Sequence, residues 1–257
     1  MCGRFTVAVP QADLFDEFGL TDAPFDIRPR YNVAPMQLSP VLLAGEGDSP
    51  RLALLRWGLV PFWAKEPEIG NKMINARADT LAEKPAFRSA FERRRCLVLA
   101  DGWYEWRKEG ARKTPMWIHL RTRRPFAMAG IWERWDKGDE PLLTFSIVTT
   151  DAAAPIRPIH DRMPVLLPRG ARERWLDPAA PKDELRALLA PYTGDDLEAW
   201  AVSTLVNSPR NDVEDCIFPV HMTGADEGES GREGDRAVAH SSTPPLPHSN
   251  PIQGSLL

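Results

Sequence analysis

Between residues 96 and 150, short apolar runs follow one another with brief polar turns between them. The runs Cys96–Ala100, Trp103–Lys108, Pro115–Leu120, Phe126–Trp132 and Leu142–Thr150 read as strands. Their spacing predicts antiparallel hairpins with barrel-like closure. Residues 10–19 read as a short helix, with Leu14, Phe15 and Phe18 on one face and Gly19 as its stop. The Pro-rich segment 22–40 is expected to be irregular. Residues 52–57 read as a strand that runs into a loop, Gly58 to Trp63, with exposed aromatics. Residues 75–92 read as two helical pieces broken at Pro85, with Phe87 and Phe91 one turn apart and facing inward. A short strand is expected at 164–167, helices at 169–176 and 181–190, and a last strand near 199–203 leading to Asn207.

The pattern stops near His221. Beyond it large apolar residues almost vanish, and residues 224–257 are expected to be a disordered tail, acidic and then Ser/Pro-rich. Residues 1–223 then form a single domain, and no internal repeat divides it. The tail also changes the meaning of the net charge of −4. It carries five acids and two bases, which leaves 30 bases and 31 acids in the body. A nearly neutral body permits a local basic groove. Arginine supplies 25 of the 32 basic residues, a bias that suits phosphate contacts but that a GC-rich genome also produces. No apolar run approaches a membrane span and no signal pattern precedes the first helix. Three separated cysteines offer neither a disulfide framework nor a zinc spacing. A reducing, cytoplasmic setting is expected, with no metal and no cofactor.

A few polar residues exceed what packing needs. Cys2 follows Met1, and aminopeptidases remove Met1 when the next side chain is small. A terminal Cys2 would carry an α-amine and a thiol on adjacent carbons. With a pKa of about 7.7–8.0, that amine is partly unprotonated at pH 7. It can attack an aldehyde, and the thiol can then close a five-membered thiazolidine. Asn75 and Arg77 lie just before an expected helix, where Asn is ordinarily a cap and Arg solvated. Glu105 alternates with aromatics on a strand that should be buried, so it either meets a partner or has a raised pKa suited to proton transfer. His160, between Ile159 and Asp161-Arg162, is a natural proton shuttle near pH 7. Cys96 and Cys216 look structural, and the stretch Val202 to Ser208 is assigned no chemistry.

Seven blocks resemble those of one family in their order. They are Met-Cys-Gly-Arg-Phe at 1–5, Arg-Tyr-Asn-Val-Ala-Pro at 30–35, Arg-Trp-Gly-Leu-Val-Pro-Phe-Trp at 56–63 and Asn-Ala-Arg-Ala-Asp at 75–79. They continue with Arg-Cys-Leu-Val at 95–98, Asp-Gly-Trp-Tyr-Glu-Trp at 101–106 and Ile-His-Asp-Arg-Met-Pro at 159–164. The chain thereby resembles the SOS response-associated peptidase (SRAP) proteins, which shield abasic sites in DNA. The resemblance spans roughly residues 2–220.

It implies an α+β fold, mainly an antiparallel β pseudo-barrel with flanking helices. It also implies a covalent crosslink between Cys2 and the open-ring aldehyde of an abasic site in single-stranded DNA, including at junctions with duplex. Cys2 supplies the amine and then the thiol. Asn75 holds the Cys2 backbone and the aldehyde, Glu105 moves protons at the amine, and His160 acts on the sugar hydroxyl as the ring opens. Arg77 and Arg162 clamp flanking phosphates, with Arg4 nearby. Trp63 and Pro40 wedge or stack at neighbouring bases, and Thr149 lines the pocket. A monomer without a membrane partner is expected, nucleoid-associated in a bacterium. The imine stage opens a β-elimination route, hence lyase activity, and the peptide cleavage implied is removal of Met1. Two other readings stay open at this point: a cysteine peptidase with Cys2 as nucleophile, and a non-covalent single-strand binder.

Overall fold

The structure is a computed structural model and describes residues 2–45 and 50–220. The tail expected at 224–257 lies outside the described residues. Among the described residues, thirteen strands and four short α-helices make an α+β fold in which nearly all strand pairs are antiparallel.

Five strands close a ring. They are β3 (Leu38–Leu43), β4 (Arg51–Trp57), β6 (Arg95–Ala100), β9 (Phe126–Trp135) and β10 (Leu142–Asp151), paired in the order β10-β4-β3-β6-β9 with β9 returning to β10. Only the β4–β10 junction in this ring is parallel. Closure leaves the ring without a free edge, and its interior is apolar: Leu55, Val98, Met128, Phe145 and Ile147 are fully buried. Three short strands extend the wall. β5 (Asn75–Arg77) runs parallel to β10, β11 (Arg162–Pro164) pairs with the end of β10, and β12 (Leu166–Leu167) pairs with β9.

A second sheet runs in the order β13-β8-β7-β1-β2. Its members are β1 (Arg4–Val7), β2 (Arg30–Val33), β7 (Gly102–Glu109), β8 (Arg112–Leu120) and β13 (Leu197–Ala201). Aromatic contacts join it to the ring. Phe5 of β1 meets Trp57 of β4 edge-on at 5.0 Å, and Trp57 stacks on Phe145 of β10 at 6.4 Å. Such pairs contribute about 0.5–1.5 kcal/mol each beyond their buried area. The Trp57 indole also donates to the carbonyl of Ile74 at 2.8 Å, which fixes the chain just ahead of Asn75.

The helices α1 (Gln11–Phe18), α2 (Arg88–Arg93), α3 (Arg169–Leu176) and α4 (Lys182–Ala187) flank the sheets. Gly19 ends α1 in the left-handed conformation, as a glycine C-cap does. Phe87 and Phe91 both face the core.

Three expectations need correction. Residues 75–92 are not two helices: Asn75–Arg77 is a strand, turns follow, and only Arg88–Arg93 is α-helical. β10 supplies a ladder for residues 75–77, and that tertiary pairing overrides local propensity. The Pro-rich segment 22–40 is irregular only as far as Pro29, after which β2 and β3 begin between its prolines. The strand expected at 164–167 is split in two. At Val165 the backbone N–H bonds to Val148 of β10 while its carbonyl accepts from Ala129 of β9, so the chain crosses from one neighbour to the other there.

The loop after β4 depends on two glycines. Gly58 has φ +123°, and a Cβ there would lie 2.8 Å from the Gly70 carbonyl oxygen. Strain and overpacking therefore coincide, and Gly58→Ala is expected to destabilise the fold by roughly 1–3 kcal/mol. A urea denaturation midpoint equal to that of the wild type would contradict this.

Candidate functional site

Three chain segments meet at Cys2, and the two sheets bring them there. In the second sheet, β1 pairs with β7 so that Arg4 faces Tyr104. Continuing this antiparallel register carries residues 2 and 3 alongside Glu105 and Trp106. β1 is held firmly: the Thr6 hydroxyl donates to the buried Asp101 carboxylate at 2.6 Å, and the Ala8 N–H donates to the same oxygen at 3.0 Å. From the ring, β10 contributes through its two small neighbours. β5 aligns Asn75 with Ile147 and Arg77 with Thr149, and β11 follows directly after His160.

The Asn75 side-chain amide donates to the Cys2 carbonyl at 2.7 Å. Cys2 is fully buried, and its thiol donates weakly to the Arg4 carbonyl at 3.7 Å. Burial, and next the nearby Glu105, push the thiol pKa well above its ordinary value, so the sulfur stays protonated at neutral pH. The Glu105 carboxyl is only 2% exposed. Desolvation raises its pKa to about 7, which makes it both a competent acid and a competent base near neutrality.

His160 completes the group, its Nε2 lying 3.9 Å from a Glu105 oxygen. Its Nδ1 has two neighbours, the Arg162 backbone N–H at 3.0 Å and the Asp161 carboxylate at 2.8 Å. The two make opposite demands on Nδ1, the N–H requiring an acceptor and the carboxylate a donor, while Nε2 faces Glu105. Asp161 is largely exposed, and its charge favours the protonated ring. Burial lowers the His160 pKa against that pull. Neutral imidazole next to a carboxyl near its own midpoint is an arrangement that passes protons.

The other predicted residues divide. Arg77 is exposed and held in a fork by Asp79, at 2.7 and 3.2 Å. Arg162 is nearly buried, its guanidinium donating to Asp151 at 2.7 Å and to the Thr149 carbonyl at 2.7 Å. These bonds tie β11 to β10, while the same residue's N–H orients His160. Arg4 donates to Asn32 at 3.1 Å and to the Val206 carbonyl at 2.7 Å, and so is built into the wall beneath the site. Thr149 is fully buried beside Arg77. Trp63 is exposed in its loop, as is its neighbour Phe62. Pro40 does not stand with them: it is buried within β3 opposite Leu54 and offers no face to a base, which corrects the expectation of a wedge there.

The structure adds residues that the chain pattern did not single out. A cleft of about 520 Å³ opens over Glu105 and His160, with Trp106, Lys108, Lys113 and Asn207 in its walls. The Trp106 indole donates to the Asn207 side chain at 2.8 Å. Asn207 belongs to a segment pinned by Asn32, whose amide reaches the carbonyls of Val206, Ser208 and Asn211. The Ser and Asn of that segment look like ordinary loop residues in sequence, so only the Asp-Gly-Trp-Tyr-Glu-Trp block hinted at the pair, through Trp106. A larger cleft of about 720 Å³ lies between α1 and α3 and contains none of the predicted site residues. Among the described residues no cluster of three or more His, Cys, Asp or Glu is placed to hold a metal ion.

The family model of the SOS response associated peptidase (SRAP) matches residues 1–209, a span that takes in all three converging segments. The chain belongs to that family. It is 45% identical over 223 residues to the abasic site processing protein YoaM of Bacillus subtilis, covering 84% of this chain and 97% of that one. It is 37% identical over 228 residues to the abasic site processing protein HMCES of Gallus gallus, covering 76% of this chain and 67% of the relative. Among solved structures, a protein from Bacteroides thetaiotaomicron superposes with a TM-score of 0.76 at 30% identity, covering 85% of this chain and all of that one. Among the described residues of this SRAP protein no helix is long and apolar enough to cross a membrane.

Proposed function

We propose that this SRAP protein captures abasic sites in single-stranded DNA through a covalent thiazolidine on Cys2. The observation that most supports this is the convergence on Cys2 of Asn75, bonded to its carbonyl, with Glu105 and His160 at the same end of the sheet. The names of its relatives, abasic site processing proteins, point to the same substrate.

Removal of Met1 turns the Cys2 nitrogen from an amide into an amine. Glu105 as carboxylate takes the ammonium proton, and the free amine attacks C1′ of the ring-opened sugar. His160 exchanges the proton of the sugar hydroxyl as the ring opens. The carbinolamine loses water, with Glu105 now donating as an acid, to leave an imine. The Cys2 thiol then adds to C1′ and its proton passes to the former imine nitrogen, which closes the five-membered ring. No base has to be recognised, because the target has none. Arg77, exposed at the end of β5, is the phosphate contact assigned to one flank of this centre. If the imine outlives closure, proton loss beside it permits β-elimination and strand cleavage, the lyase branch. The peptide cleavage that fits the family description is loss of Met1, not turnover of other proteins.

A denaturing gel tests the reading. Incubated with an abasic single-stranded oligonucleotide and then heated, the wild type is expected to give a retarded band that Cys2→Ala lacks. Absence of the wild-type band would end the crosslinking proposal. Cys2-dependent hydrolysis of added peptides would favour a peptidase instead.

A further inference from the structure

Lys108 and Lys113 stand directly opposite each other in the β7–β8 ladder, both exposed and both on the cleft over Glu105 and His160. Like charges directly opposite on adjacent strands repel, so the fold gains nothing from the pair. Neither lysine has an acidic partner among the described residues. The acid of their own hairpin, Glu109, is held by Arg107 at 2.8 Å. Trp106 shares the face of Lys108, one step nearer the reaction centre, and its indole is clamped by Asn207.

The geometry also gives the pair a side. Asp161 contacts the Nδ1 edge of His160 and, with Asp151, adds to the field around Arg77. The lysines approach His160 along β7 instead. At about 3.3 Å per residue, Glu105 to Lys108 spans about 10 Å along the strand, a distance that a nucleotide next to the reacting sugar covers.

We propose that Lys108, Lys113 and Trp106 form a subsite for the nucleotide that flanks the abasic sugar on the side away from Arg77. The lysines hold its phosphodiester and the Trp106 ring packs against its sugar or base. The subsite rests on the reading of Cys2 as an abasic-site reagent. It gives the strand a fixed direction through the site, since one flank meets a forked arginine and the other a lysine pair.

Binding to oligonucleotides that carry a tetrahydrofuran analogue of the abasic site isolates this contact, because the analogue has no aldehyde. Anisotropy titrations of the full chain across a salt series are expected to show K108A/K113A binding roughly tenfold more weakly. The slope of log affinity against log salt should fall in magnitude by about 0.7, the share of one single-strand phosphate contact. K108R/K113R keeps the wild-type slope and controls for the fold. The loss should vanish on one of two oligonucleotides ending at the analogue, 5′ or 3′, and persist on the other. A wild-type slope in the alanine pair, or a loss that persists on both truncated oligonucleotides, overturns the subsite. A wild type that forms no heat-stable adduct with a natural abasic site would instead strike the crosslinking reading, so the two failures are distinct.

Discussion

A chain that keeps any residue ahead of Cys2 is expected to form no heat-stable adduct with abasic DNA. An acylated nitrogen has no basic lone pair, so no imine forms at Cys2, and an imine on the added residue's own amine has no thiol placed to close a five-membered ring on it. The thiol alone, kept protonated by burial, is a poor nucleophile at neutral pH. Cys2→Ser should behave differently. Serine is also small enough for Met1 removal, so the variant retains an amine and can form the imine, but its hydroxyl closes the ring far less well. Its adduct should appear only after borohydride reduction and be lost on heating without it. Both changes thus remove the heat-stable adduct for different reasons: one takes the free amine away from the carbon next to the thiol, and the other takes away the thiol. A blocked chain that still crosslinks would rule out the aminothiol mechanism.

Glu105→Gln should slow adduct formation by about 10²-fold or more, the usual size of general acid–base catalysis. The pH profile should change as well. In the wild type the carboxylate needed to take the ammonium proton is lost as pH falls through about 7, so the rate declines on that side. Glutamine cannot titrate, and that limb should disappear, leaving the slope set by the amine alone. The stability sign is opposite. Folding raises this carboxyl's pKa, so its contribution to stability is greatest when it is protonated and is lost as pH rises through about 7. Above pH 7, Glu105→Gln should therefore melt no lower than the wild type while reacting far more slowly. A variant that keeps the limb near pH 7 would show that another group supplies it.

The strand succession from residue 96 to 151 was legible because each strand is a short apolar run bounded by turn residues, and its partner is usually next in sequence. α1 was legible for a similar local reason, since Leu14 faces inward and Gly19 stops the helix. Asn75 was not placed correctly. Its strand of three residues exists only because Ile147 to Thr149 offer it a ladder, and nothing within residues 75–92 announces that distant edge. Arg162 shows the same limit. Its charge and position suggested a phosphate clamp, whereas Asp151 and the Thr149 carbonyl occupy its guanidinium in the fold. Pro40 looked like a surface wedge, but it is walled in by β3 and β4.

For the chemistry we propose, Cys2 behind a removable Met1 suggests the reagent, and the residue types Asn75, Glu105 and His160 suggest its helpers; the ordered blocks state the family. These follow from covalent chemistry and from motifs that a linear chain carries intact. Only the folded arrangement sets the Glu105 pKa near 7, the Nε2 edge of His160 beside Glu105, and the bond from Asn75 to the Cys2 carbonyl. It alone sets Lys108 against Lys113 on the same cleft. Each of these depends on desolvation or on a neighbour tens to hundreds of residues away or across a turn, and both arise only once the ring and the second sheet have closed on each other.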